Sequence, residues 1–148
     1  MHLINGYEIP DDMKTLSEDE FLEGAMICPT FEIDGRSGED YEPIWECAKF
    51  DDTIFEEDGY AIVPLTDFEP YCVVLRHENE TVGFYMHGQL WVDDEHRGHS
   101  FGAKMVVCAS AVIGKAPDVQ VVGFSIEGYD AHVKSLEIAR EADPSPRI

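Results

Sequence analysis

Basic residues are scarce in this chain: 10 Lys and Arg stand against 31 Asp and Glu, for a formal net charge of −21. A surface so short of cationic groups repels phosphate backbones and anionic lipid, so direct nucleic-acid binding and electrostatic membrane binding are excluded, while cations and basic proteins are attracted. The deficit is uneven. Residues 1–60 hold 18 acids and 3 basic residues, and the remainder holds 13 and 7. Three readings of the acidity stay open: solubility or adaptation to a salt-rich medium, an acceptor surface for a cationic ligand, and imitation of a DNA phosphate backbone toward a DNA-binding protein.

Long apolar runs are missing as well, and no stretch approaches the about 20 residues of a membrane span. The start, MHLINGYEIPDD, lacks the basic and then apolar pattern of a secretory leader, so the expectation is a cytoplasmic protein. Cys-x-x-Cys spacing is absent. Cys28, Cys47, Cys72 and Cys108 read as reduced, mostly buried thiols. Without repeats or low-complexity linkers, the 148 residues read as a single domain, 1–148.

What is present centres on residues 81–112. Residues 81–92 alternate and are rich in β-branched and aromatic side chains, which predicts a strand. Residues 93–98 form a polar turn. Ser100 is placed to cap a helix in which Phe101, Met105, Cys108, Ala109 and Val112 recur on one side. The backbone N–H groups of residues 98–103, with Arg97 beside them, then form an anion site.

Elsewhere the pattern predicts a strand over 2–9 and a helix from the Ser17-x-x-Glu20 capping box to about Ile27. A loop over 30–40 and a helix from Pro43 through Phe50 follow, then an acidic loop over 51–58 and a strand over 60–65. Strands over 71–76 and 81–92 are joined by the turn His77-Glu78-Asn79-Glu80. Gly114 and Pro117 end the main helix. A strand over 119–126 is expected parallel to the one ending at Val92, and Asp130 caps a last helix over 131–142. The fold class is α/β in the α+β sense: a mixed, mostly antiparallel central sheet flanked by helices. Trp45, Phe50 and Phe55 read as core, with lining of an acceptor pocket as the alternative.

Arg97-Gly98-His99-Ser100-Phe101-Gly102 resembles the Arg/Gln-x-x-Gly-x-Gly/Ala loop of the GNAT N-acetyltransferase superfamily, and Leu90-Trp91-Val92 with the acidic turn after it resembles that family's fourth strand and its exit. Ser100 stands where the family has glycine; a serine there still offers a hydroxyl to a phosphate. The likeness runs over about residues 60–140 and is specific over 90–105. It implies a shortened GNAT-like fold, because only DPSPRI follows the last helix where the family has two more strands; a partner subunit, as in a homodimer, is one way of covering that sheet edge. A tight strand-to-helix turn in an ordinary α/β domain is the plainer alternative.

The resemblance implies acetyl-coenzyme A as co-substrate. Leu90, Trp91 and Val92 would meet its pantetheine arm, with two splayed parallel strands and a bulge at Gly88. Arg97, Gly98, His99, Ser100, Phe101, Gly102 and Ala103 would hold its pyrophosphate. His87 is the candidate base, with a hydrogen-bonded structural histidine as the equal alternative. The Leu90 N–H is the candidate oxyanion donor. Residues 133–141 lack the family's tyrosine, so Tyr129 or His132 is the candidate acid. Residues 1–60 would wall the acceptor side and 60–142 form the acetyl-coenzyme A core. The acceptor would be a cationic amine: a polyamine, an aminoglycoside-like compound or a lysine of a basic protein. No metal is expected, since His96-x-x-His99 and His87 have no cysteine suitably close in sequence. The reading from a different class is a non-catalytic acidic inhibitor on a GNAT-like scaffold, of viral or plasmid origin, binding a basic partner.

Overall fold

The computed structural model describes residues 1–27, 49–65, 72–86 and 88–141. The N-terminal segment is short and broken. Residues 2–9 form no strand, contrary to expectation, because Asn5 and Gly6 both take left-handed φ of 57° and 85° and bend the chain. Helix α1 is Asp11–Thr15, and both Asp12 carboxylate oxygens accept from the Ala116 N–H at 2.9 Å, tying this segment to the far end of the main helix. The capping box forms as expected, with the Glu20 N–H donating to Ser17 Oγ and the Ser17 N–H to Glu20 Oε1. The helix it opens, α2, covers only Glu18–Phe21. Gly24, at φ +73°, turns the chain so that Met26–Ile27 becomes strand β1 instead of helix. The predicted helix from Pro43 lies outside the described residues except at its end, where Phe50 bridges Leu65.

Alternation builds the main sheet. Strands β2 (Phe55–Glu57), β3 (Tyr60–Pro64), β4 (Val73–His77), β5 (Glu80–Met86) and β6 (Gln89–Val92) run antiparallel in the order β2-β3-β4-β5-β6. Ile62, Val73, Leu75 and Tyr85 join one buried cluster, while Val63, Val74 and Phe84 join a second. The period of two therefore gives this sheet two apolar faces.

Two-residue turns set the register. Glu57 pairs Tyr60 across Asp58-Gly59, and His77 pairs Glu80 across Glu78-Asn79, with all four turn residues at positive φ as type I′ hairpins require. The second was expected. The first converts part of the predicted acidic loop into β2. Met86 pairs Gln89, so the single strand expected over 81–92 is a hairpin, and Gly88, at φ +85°, sits in its turn instead of forming a bulge.

Helix α3 (Phe101–Ile113) packs on β3, β4, β5 and β6 and against helix α4 (Ile126–Glu141). Eight of its thirteen residues are buried, so it is apolar nearly all round, wider than the one-sided face expected. Gly114 ends it at φ +81°. Strand β7 is only Gly123–Phe124 and pairs parallel with β1, not with β6. Helix α4 starts before Asp130: Ser125 Oγ accepts the Gly128 N–H at 3.0 Å and takes the capping role. Cys72 and Cys108 are free and buried, and burial pushes the Cys72 thiol up to about 12. Cys28 and Cys47 lie outside the described residues. No helix among the described residues is long and apolar enough to cross a membrane.

Candidate functional site

A two-residue hairpin makes Met86 and Gln89 the hydrogen-bonded pair, which leaves Tyr85 and Leu90 as a non-bonded pair. The Leu90 and Val92 backbone groups therefore point off the outer edge of β6, which no strand among the described residues pairs. Two bonds agree with this phase. The Asp93 N–H donates inward to Val82 O at 2.8 Å, and Arg97 Nε donates to Val92 O at 2.7 Å from outside.

Beyond β6 the chain makes a 3-10 turn, Asp94–His96, and enters α3 through Ser100. The first intrahelical bond of α3 runs from the Lys104 N–H to Ser100 O, so the N–H groups of Phe101, Gly102 and Ala103 stand at an open helix start. Ser100 makes no side-chain cap and sits at φ +61°, a left-handed conformation that glycine adopts freely. Lys104 holds the loop from behind, bonding Glu57 and His99 O.

These groups open onto a cleft of about 600 Å³ whose other wall is Ser125 and the first turns of α4. The two helix starts, α3 and α4, thus converge on one space, bringing two positive dipole ends together. Gly102 keeps the start of α3 close to β6 and α4: a Cβ there would press on Leu90 Cδ2 at 3.0 Å and make ordinary contact with Ala131 Cβ at 3.7 Å. The side-chain charge has the opposite sign. Asp93, Asp94, Glu127 and Asp130 line the cleft against Arg97 and Lys134, and Arg97 is itself paired with Asp94 at 3.0 Å.

Of the residues expected to hold a cofactor, Leu90, Trp91, Val92, Arg97, Gly98, Ser100, Phe101, Gly102 and Ala103 all line this cleft. His99 does not; it is exposed and its ring lies 6.0 Å from Tyr60 and 5.6 Å from Phe101. The candidate acids are elsewhere. His132 is fully buried. Its Nδ1–H donates to Gly128 O at 2.7 Å, and its Nε2 accepts from the Tyr85 hydroxyl at 2.8 Å. Burial pushes its pKa down to about 4, against the smaller opposing pull of the Gly128 carbonyl. Tyr129 is half-buried against Phe124. His87 lies outside the described residues, as does Trp45. Phe55 is buried, whereas Phe50 is half open with the Arg76 guanidinium 4.6 Å over its ring.

Sequence reasoning missed the α4 half of the cleft, Ser125, Glu127, Asp130 and Lys134, and the acids Asp93 and Asp94 of the turn. A signal existed for the first: Ser125 is a helix-capping residue three positions before Gly128. No family model matches this chain, and comparison with curated proteins and with solved structures likewise found no match.

Proposed function

We propose that the protein is an acetyl-coenzyme A-dependent N-acetyltransferase acting on a cationic amine. The observation that carries the reading is the cleft: an edge of β6 unpaired among the described residues on one side, an open helix start with Arg97 beside it, and a second helix start opposite. Bound there, a pyrophosphate would accept from the N–H groups of residues 101–103. The outward Leu90 and Val92 backbone groups would meet the amide-bearing arm, and the Leu90 N–H would face the thioester oxygen. β7 pairs with β1 in a separate sheet, so it does not take up the outward Leu90 and Val92 backbone groups that such an arm would use.

The four cleft carboxylates suit the acceptor, since they attract a cationic amine to the thioester. In the reaction the neutral amine attacks the thioester carbon, the carbon–sulfur bond breaks, and the proton the amine gives up returns to the thiolate. No other co-reactant is consumed.

A second reading is favoured by one contact. Arg97 is already engaged by Asp94 and Val92 O, and the cleft carries more acids than cations, as a surface for a basic partner protein would. Calorimetric titration with acetyl-coenzyme A and with free coenzyme A tests both. Saturable binding that Arg97→Ala weakens at least tenfold supports the enzyme; no binding to the wild-type chain overturns it and leaves the acidic interaction protein.

A further inference from the structure

We propose that Asp93, Glu95 and His96 bind one divalent transition-metal ion of the zinc class. One ligand atom from each of the three lies within 4.8 Å of the others. Donors about 2.0–2.2 Å from a tetrahedral ion sit roughly 3.5 Å apart, so small rotamer changes close this set on a metal. The bond from the His96 N–H to Asp93 O, 2.8 Å, keeps the two ends of the turn together.

An imidazole held from outside distinguishes this turn from an ordinary acidic patch. Tyr60 Oη lies 2.8 Å from His96 Nδ1, with the rings edge-on at 5.6 Å. Tyr60 is itself fixed on β3, stacked on His77 at 4.2 Å and packed on Phe101 at 4.4 Å. In the proposed site the Tyr60 hydroxyl accepts the Nδ1 proton and Nε2 keeps its lone pair for the ion, the outer-partner arrangement that orients metal-binding histidines. The His77 ring, 5.1 Å from that of His96, places a second imidazole beside the set.

One imidazole and two carboxylates suit Zn²⁺, Mn²⁺, Fe²⁺ or Co²⁺ better than Mg²⁺ or Ca²⁺, which take oxygen ligands. Asp93 and His96 also line the cleft. The site stands whether or not the protein transfers acetyl groups.

The test is calorimetric titration of the metal-stripped full chain with ZnCl₂, with MgCl₂ in parallel. One Zn²⁺ per chain is expected, with Mg²⁺ weaker. Affinity should fall at least about tenfold in Glu95→Gln, Asp93→Asn and His96→Ala, and by about tenfold in Tyr60→Phe, which removes only the outer partner. His99→Ala should leave it unchanged. Glu95 is exposed, so its variant tests the site without touching the core. Absence of saturable Zn²⁺ binding overturns the proposal, as does affinity undiminished in Glu95→Gln and Asp93→Asn. A thiolate-to-metal band on Co²⁺ loading would put the ion on cysteine and overturn it equally.

Discussion

The buried pair of Tyr85 and His132 shows what a single side chain contributes when its polar atoms are all engaged. His132 must stay neutral: one nitrogen donates to Gly128 O, the other accepts from Tyr85, and aromatic rings of Phe124 and Phe21 lie 4.6 and 6.0 Å away. Its folded pKa of about 4 lies below the ordinary 6.5. The unfolded chain therefore binds a proton first as pH falls. The stability this site contributes is complete above pH 6.5 and is lost between 6.5 and about 4, an effect on the order of 3 kcal/mol at most. Urea denaturation across that window should show the slope, and His132→Gln should flatten it. Tyr85→Phe leaves the Nε2 acceptor bare and should cost about 1–3 kcal/mol at pH 7. Ser100 is the opposite case, a residue whose backbone is unsuited to its side chain. At φ +61° a glycine avoids the Cβ clash, and after its greater unfolded-state entropy is subtracted Ser100→Gly should gain about 0.5 kcal/mol in the same assay.

At the scale of elements, the α3–α4 seam couples packing to the cleft. Gly102 lets the start of α3 approach Leu90 on β6 and Ala131 on α4. Gly102→Ala asks Leu90 to give by a few tenths of an ångström. Gly102→Glu forces a charged side chain against Leu90 and Ala131 at the rim of the cleft, so it should abolish acetyl-coenzyme A binding in calorimetry while the alanine variant retains it. The capping box of α2 is a local device. Ser17→Ala removes the acceptor for the Glu20 N–H and should cost about 1 kcal/mol, read as a lower urea midpoint with no change in cleft binding. Element boundaries were legible wherever a cap or a turn residue carried them, as at Ser17, Gly114 and Glu78-Asn79. They were misread where the local signal was outvoted. Residues 81–92 read as one strand because alternation runs through His87-Gly88, and Asp58-Gly59, a strong hairpin dipeptide, reads as loop because acids surround it.

For the whole molecule the net charge of −21 sets the physics. Like charges crowd when the chain folds, so self-repulsion opposes compaction, and salt relieves it by shortening the screening length from about 30 Å at 0.01 M to about 3 Å at 1 M. The urea midpoint should therefore rise steadily with NaCl over that range. A midpoint indifferent to salt would show that the acids are spaced widely enough to cost nothing, which removes the argument for adaptation to a salt-rich medium.

The sequence by itself determined the period of two that gives the β3–β5 meander, the glycine loop leading into α3 and the end of that helix at Gly114. These depend on neighbours within a few residues, where backbone sterics and hydrogen bonding act directly. Only the tertiary structure decided which strands pair and what the loop faces. The pairing of β7 with β1, the seating of His132 under Tyr85 and the placing of α4 across from Arg97 each join residues far apart in the chain. Such contacts are chosen by which apolar faces can be buried together, and no local pattern encodes that choice.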